Sequence, residues 1–372
     1  METKKIRVGL IYGGRSGEHE VSLLSAASVL RHLSPSRYIV ELLGITHEGE
    51  WYYQPKTLVR KVLEGSELKV EKKNPISISP MKGWSFLKSD GTSQTLQVDI
   101  ILPILHGTFG EDGTIQGLLE MVGIPYLGSG VLGSSLGMDK EKVKQVWEQA
   151  GLPVVPYRVV QLPRSKEIPA YSKIEDMWRS WSTMLGNSLF IKPSRAGSSV
   201  GISNATSPKE LEIALSQAAL YDTKILVEAG VNAREIECSV IGNLSPRAYT
   251  PGEVVPNHKF YDYDAKYLDP NGAALLVPAP LSLEVVVRVR DLAVRAYRAS
   301  EARGLARVDF FYDETDDKIW INEINTMPGF TNISMFSKMC EADGLSYPAI
   351  LDELVDLAFE EFIRKTELRY RH

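Results

Sequence analysis

The sequence predicts an α/β protein built from more than one compact unit, on three observations. Two short apolar runs, Ile6–Tyr12 and Val98–Leu105, lead directly into the glycine-bearing turns Gly13-Gly14-Arg15-Ser16-Gly17 and His106-Gly107. Runs of this kind suit strands buried on both faces of a parallel sheet. After the first turn, from about Glu18, Leu23, Ala27, Leu30 and Leu33 recur on one helical side, and strand, glycine turn, helix is the opening of an α/β domain. Finally, 372 residues with 44% hydrophobic and 24% charged content suffice for two or three cores of ordinary globular composition.

The remaining elements follow in order. Residues 64–97, with runs such as Glu71-Lys72-Lys73-Asn74-Pro75, read as hairpins or an insertion. A Gly/Ser-rich stretch at Leu127–Ser135 precedes a helix in which Val143, Val146, Trp147 and Ala150 fall at i, i+3, i+4 and i+7; Gly151 and Pro153 end it. A domain boundary is placed just before this helix. Strands are predicted at Val154–Val160, Leu189–Lys192 and Ile225–Glu228, with a helix capped by Ser207-Pro208 before the last. Pro251–Pro280 reads as a long loop clustering Tyr, Asp and Lys at 261–267; structureless loops of that length are usually functional. A helix around Val289, Leu292, Ala293 and Ala296 ends at Gly304. The strands Ala306–Tyr312 and Ile319–Ile324 follow, and a last helix buries Leu351, Leu354, Val355, Ala358 and Phe362.

Composition excludes several classes. With a net charge of −5, from 42 basic and 47 acidic residues, no basic excess invites nucleic acid or an anionic membrane. The N-terminus lacks an apolar leader, and no stretch reaches the ~18 apolar residues of a membrane span, so a cytoplasmic location is expected. Two cysteines, Cys238 and Cys340, form neither a disulfide scaffold nor zinc-site spacing; they read as buried thiols in a reducing compartment.

The chemistry concentrates in a few places. Glu323 and Asn325 share a strand face, and Asp309 lies on the preceding strand. If these strands pair, three oxygen-bearing side chains converge. An all-oxygen set favours a hard cation, Mg²⁺ or Mn²⁺ with phosphate completing the shell. The alternative is a solvated face with scattered acids, against which the Pro328-Gly329 turn argues by bringing backbone N–H groups beside the carboxylates. Lys192, at a strand end before Pro193-Ser194-Arg195-Ala196-Gly197-Ser198-Ser199-Val200-Gly201, suits a loop that lays amides over a polyphosphate; a plain surface turn is the alternative. Lys140 is a second candidate cation or an exposed lysine. The carboxylates of Glu18-His19-Glu20 and the imidazole of His106 share the ligand-binding edge of the first sheet, where each also has a purely structural reading. Gly128-Ser129-Gly130-Val131-Leu132-Gly133 matches G-x-G-x-x-G, but the next strand ends at Gln161 rather than an acid. Gly197–Gly201 matches G-x-S-x-G without a strand-to-helix elbow, so a serine hydrolase is disfavoured.

Taken in order, Gly13–Ser22, His106-Gly107 with Gly110–Gly117, Met138-Asp139-Lys140, the Lys192–Gly201 loop, Tyr261–Tyr267 and Glu323–Gly329 resemble the signatures of the D-alanine–D-alanine ligases, over roughly residues 4–360. The resemblance implies an ATP-grasp fold of three α/β domains with ATP clamped between the central and C-terminal sheets. The domains would be a substrate-binding N-terminal one at 1–130, a central one at 131–231, and a C-terminal one at 232–372 with the metal site and a closing loop. It implies joining of two D-alanines for peptidoglycan, through attack of one carboxylate on the γ-phosphate to give an acyl phosphate. The second amine then attacks that carbonyl.

By the same resemblance, Asp309, Glu323 and Asn325 hold Mg²⁺ or Mn²⁺, two ions per site. Lys140, Lys192, Ser199 and Asn322 bind ATP, Glu228 and Glu235 lie near adenine and ribose, and Lys266 reaches the phosphates or second substrate. Glu20 holds the first ammonium, and Ser198 links it to Tyr267. Arg307 and the Gly329 N–H stabilise the tetrahedral oxyanion, Ser334 and the Met335 N–H hold the second carboxylate, and His106 belongs to the substrate-binding set. A homodimer is implied, with D-alanine and ATP as small-molecule partners. His19 between two glutamates, Phe109 in a loop often richer in glycine, and Met335 in place of leucine depart from the commonest pattern. The alternatives are a D-alanine–D-lactate ligase and a non-catalytic nucleotide-binding protein. Tyr267 within Asp264-Ala265-Lys266-Tyr267 speaks against the first, and the set Arg307, Asp309, Glu323, Asn325 against the second.

Overall fold

The structure, a computed structural model, describes residues 4–80, 83–197, 200–256 and 273–369. The N-terminal part runs β1 (Ile6–Gly13), α1 (His19–His32), β2 (Tyr38–Ile45), β3 (Trp51–Tyr53), α2 (Lys56–Leu63), β4 (Ile76–Ser79), β5 (Gly83–Leu87), β6 (Ser93–Leu96), β7 (Ile100–Pro103) and α3 (Thr114–Val122). Its main sheet has the order β3-β2-β1-β7, and β1 is parallel to both β2 and β7. Val8, Leu10, Ile11 and Tyr12 are fully buried, the double-sided burial that their unbroken apolar run predicts. Gly13 is required where β1 turns: its φ is 89°, and a Cβ there would stand 2.1 Å from the Ile45 carbonyl oxygen. The weakly patterned segment forms the antiparallel sheet β4-β5-β6, which buries Trp84, Phe86 and Leu96 against Tyr53 and Ile101.

Next come α4 (Val131–Met138), α5 (Lys140–Gln149), β8 (Tyr157–Gln161), α6 (Tyr171–Leu185), β9 (Leu189–Pro193), β10 (Ser203–Ala205), α7 (Pro208–Ala218) and β11 (Lys224–Ala229). The central sheet is antiparallel, β10-β9-β11-β8, with α6 and α7 contributing Ile174, Trp181, Leu211 and Leu215 to its core. The chain ends with β12 (Arg234–Gly242), β13 (Arg247–Ala248), β14 (Gly252–Pro256), β15 (Ala273–Leu276), α8 (Leu283–Ala299), β16 (Gly304–Asp313), β17 (Lys318–Asn325), α9 (Met335–Ala342) and α10 (Tyr347–Thr366). The third sheet has the order β15-β14-β12-β16-β17, with β13 paired to β12.

Two expectations are corrected. The strand expected from Val154 begins at Tyr157, because Pro153 and Pro156 interrupt the ladder; Val154 makes only a bridge to Ile321. The stretch expected to be one loop from Pro251 contains β14 and β15, paired antiparallel from Glu253–Leu276 to Pro256–Ala273. Its Tyr261–Tyr267 cluster lies outside the described residues. The boundary at 131 divides a packed region: Val143 and Trp147 of α5 share a core with Ile236, Val240, Ala296 and Phe310, and the Trp147 indole N–H donates to Ser300 Oγ at 2.9 Å. Thus α5 packs against the C-terminal sheet. The glycines of the G-x-G-x-x-G match serve packing. A Cβ on Gly133 would stand 2.5 Å from the Glu301 carbonyl oxygen, and one on Gly304 would stand 3.2 Å from Gly128 Cα.

Candidate functional site

A cleft of about 460 Å³ lies between the central and C-terminal sheets. Lys140, Lys192, Gly197 and Glu228 line one side; Glu235, Glu237, Arg307, Asp309, Asn322 and Glu323 line the other. Strand register explains the placement. Lys192 stands opposite Leu226, with Glu228 two residues further along β11, so both side chains leave the sheet on the same face. Its Nζ lies 2.6 Å from a Glu228 oxygen and donates to Asn322 Oδ1 at 3.2 Å. Lys140 opens α5 behind the cap Asp139, whose side chain accepts from the Lys142 N–H at 3.2 Å. Far from being an exposed surface lysine, it is buried, donates to the Ala196 carbonyl at 2.9 Å and lies 3.3 Å from Glu323. The sequence reading missed Lys144, which is fully buried one turn further on and 2.8 Å from Glu228. Its signal was a lysine at i+4 from Lys140 on the helix's buried side. Burial alone would raise the Glu228 carboxyl, but Lys144 and Lys192 outweigh it and hold Glu228 below its ordinary range.

Across the cleft, β16 and β17 set Asp309 opposite Glu323 and Arg307 opposite Asn325. Arg307 grips Asp309 with two N–H groups at 2.7 Å, lies 3.1 Å from Glu237, and is held well above the ordinary arginine range because these carboxylates outweigh its burial. Asn325 donates its amide to Asp309 at 3.0 Å. Asp309, Glu323 and Asn325 thus converge as a set whose donors are all oxygen, which fits a hard divalent cation. Arg307 and Lys140 meet their charge. Glu235 and Glu237 alternate on β12 toward the same cleft; the second was missed although the i, i+2 spacing was legible.

The N-terminal edge changes one assignment. Glu20 does not reach the cleft: it is 64% exposed, 3.2 Å from His47. Glu18 precedes α1 as its non-helical N-cap, and its carboxylate is the one that turns inward. A Cβ on Gly107 would stand 2.5 Å from Glu18 Oε2, and one on Gly197 3.3 Å, which places this carboxylate at the meeting of both glycine loops. His19, Glu20 and His47 bring three metal-capable atoms within 4.8 Å. The two imidazoles, however, stack at 3.7 Å, so their in-plane lone pairs do not converge on one ion. His106 has both ring nitrogens occupied by protein, with Nδ1 donating to the Met327 carbonyl at 3.0 Å and Nε2 accepting from Ser25 Oγ at 2.9 Å. Burial holds its pKa below the ordinary histidine range. It therefore holds the Met327 carbonyl in place.

Glu111, quoted in the sequence motif but given no role, completes that grip. Its Oε1 accepts from the Met327 N–H at 3.0 Å and its Oε2 from the Gly107 N–H at 2.8 Å. Burial and nearby Glu18 push its carboxyl up to about 8 despite those two donors. Beyond Gly329, Tyr347 donates to the Phe330 carbonyl at 2.9 Å. Pro328 and Gly329 are thus bracketed by fixed residues. Ser334 precedes α9 and donates to Thr331 O at 2.7 Å; the Met335 side chain is buried with Val254 and Met339, leaving only its backbone for a ligand. Ser198, Ser199, Lys266 and Tyr267 lie outside the described residues.

Two family descriptions match the chain, "D-ala D-ala ligase N-terminus" over residues 7–129 and "D-ala D-ala ligase C-terminus" over residues 146–356. The D-alanine–D-alanine ligase of Thermoanaerobacter sp. (strain X514) is 45% identical over 98% of this chain and 99% of its own. That of Treponema denticola is 43% identical over 98% and 99%. Among solved structures, the D-alanine–D-alanine ligase of Coxiella burnetii superposes with a TM-score of 0.81 at 33% identity, covering 98% of this chain and 97% of that one. The VanG D-Ala:D-Ser ligase of Enterococcus faecalis superposes with a TM-score of 0.80 at 33% identity, covering 95% and 100%.

Proposed function

This chain belongs to the D-alanine–D-alanine ligase family, and on that premise we propose how its own residues divide the work of the reaction. The protein is an ATP-grasp ligase that joins two D-alanines with ATP and a divalent metal for cell-wall synthesis. The observation that carries the residue assignment is the cleft in which Lys140 and Lys192 face the oxygen set Asp309, Glu323 and Asn325.

Phosphoryl transfer asks for positioning and charge neutralisation more than covalent help. Lys140 and Lys192 take the phosphate oxygens, Glu228 and Glu235 border the nucleoside end, and Asn322, which accepts from Lys192 at 3.2 Å, completes the ATP-binding set. A divalent cation on Asp309, Glu323 and Asn325, Mg²⁺ or Mn²⁺ and two ions in this reading, neutralises phosphate charge when bound. Glu18, rather than Glu20, receives the ammonium of the first D-alanine, whose carboxylate is then phosphorylated to an acyl phosphate. The second amine attacks that carbonyl. Arg307 and the Gly329 N–H meet the oxyanion, while Ser334 and the Met335 N–H at the start of α9 hold the second carboxylate. Ser198, Ser199, Lys266 and Tyr267 keep the roles that the resemblance gives them. Domains at 1–130, 131–231 and 232–372 are retained as family divisions, although α5 packs with the third.

A homodimer and a cytoplasmic location complete the reading. The second is supported by two free, buried cysteines and by the need for ATP; among the described residues no helix is long and apolar enough to cross a membrane. Phosphate release with ATP and Mg²⁺, comparing D-alanine, L-alanine and D-alanine with D-lactate, tests the function. D-alanine-dependent release with the dipeptide in the mass spectrum is expected. Release with ATP alone, or an ester product in preference to the dipeptide, overturns it.

A further inference from the structure

We propose that Lys144 is a positioning residue that takes over Glu228 when Lys192 turns to the nucleotide phosphates. The inference rests on the phosphate role given above to Lys192. The two oxygens of Glu228 are divided between two ammonium groups, Oε1 2.8 Å from Lys144 and Oε2 2.6 Å from Lys192. All three side chains are buried, but only Lys192 and Glu228 line the cleft. Lys144 leaves α5 one turn after Lys140, so one helix supplies both a cation that faces the cleft and a cation that does not.

Energetics give the second lysine its purpose. Breaking a buried ion pair leaves an uncompensated charge, which is strongly unfavourable. With Lys192 as its sole counter-charge, Glu228 would hold that lysine back from an incoming phosphate. With Lys144 already at 2.8 Å, Glu228 keeps a partner while Lys192 moves. The three groups also sum to one net positive charge, so a cation remains for the polyphosphate. Burial and the like charge of Lys192 hold Lys144 below the ordinary lysine range, and Glu228 opposes them. Its charge therefore depends on the carboxylate it serves.

The test measures binding of magnesium tripolyphosphate, which has no base, to the full chain by calorimetry, together with steady-state kinetics. K144M should weaken tripolyphosphate binding about tenfold and raise KM for ATP, with KM for D-alanine within twofold of wild type. K144R should recover both. Adding E228Q to K144M should restore tripolyphosphate binding, because the amide no longer retains Lys192; a residue needed only for packing would show no such rescue. If K144M does not fold, E228Q alone carries the test and should bind tripolyphosphate at least as tightly as wild type. Unchanged binding in folded K144M, a deeper loss in the double variant, or weaker binding by E228Q alone overturns the inference. K192M separates the two readings. Unchanged binding in K192M removes the phosphate role of Lys192 itself, whereas a loss in K192M without one in K144M removes only the exchange.

Discussion

Glu18 and Glu20 show how finely a site depends on a helix start. Both stand in one motif, Glu18 as the cap that precedes α1 and Glu20 within its first turn. Periodicity locates such a start only to within one or two residues, so the sequence carried the carboxylate but not its choice. Glu18→Gln should lower kcat/KM for D-alanine roughly 10- to 100-fold, the loss of one charged hydrogen bond of about 1.5–3 kcal/mol. Glu20→Gln, on an exposed side chain, should stay near wild type; equal defects in the two variants would refute the assignment. Asp309, Glu323 and Asn325 were legible because strand alternation fixes a face without needing an exact boundary. Lys144 was not, since a lone lysine in a helix is ordinarily solvated.

Glu111 supplies a pH signature at the same scale. Its folded pKa of about 8 lies above the ordinary carboxyl value, so the folded protein binds more protons than the unfolded chain between roughly pH 4.5 and 8. Its contribution to stability must therefore fall as pH rises through that window. Thermal unfolding of wild type should show a steeper loss between pH 5 and 8 than Glu111→Gln, which removes the titration. Parallel slopes would show that this group does not titrate there.

At the scale of elements, strand–turn–helix at the N-terminus was readable because its apolar run is long and its glycines are needed. The pair β14 and β15 was not, because each strand is short and β14 follows Pro251 and ends on Pro256, which mimic loop punctuation. The G-x-G-x-x-G match illustrates the converse, a phosphate-loop pattern used for close backbone approach. Gly133→Ala would drive a methyl group to 2.5 Å from the Glu301 carbonyl. It should cost about 1–3 kcal/mol in denaturant unfolding and lower the midpoint without selectively changing KM for ATP. A wild-type midpoint would show that α4 shifts freely.

Across the whole molecule, the sheets are separate but the cores are not. Val8, Leu10 and Leu102 of the first sheet share a core with Phe336 of α9 and with Tyr347, Ile350 and Leu354 of α10. Sequence order concealed this, since the contacts join opposite ends of the chain. The cleft likewise takes its walls from two sheets, so bound nucleotide ties them together. At one hundred times Kd, MgADP should add about 2.7 kcal/mol of stability, seen as a rise in the calorimetric midpoint. No rise at saturating nucleotide would contradict a site spanning both sheets.

Met327 carries a consequence for heredity. One residue from the C-terminal part is gripped through its N–H and its carbonyl by two side chains from the N-terminal part, Glu111 and His106. A recombinant that inherits residues 1–130 from one relative and the remainder from another would confront each loop with a stranger. Successful grafts should be those in which 106–111 and 326–330 descend together, making the seam, rather than the domain, the unit that evolution can trade.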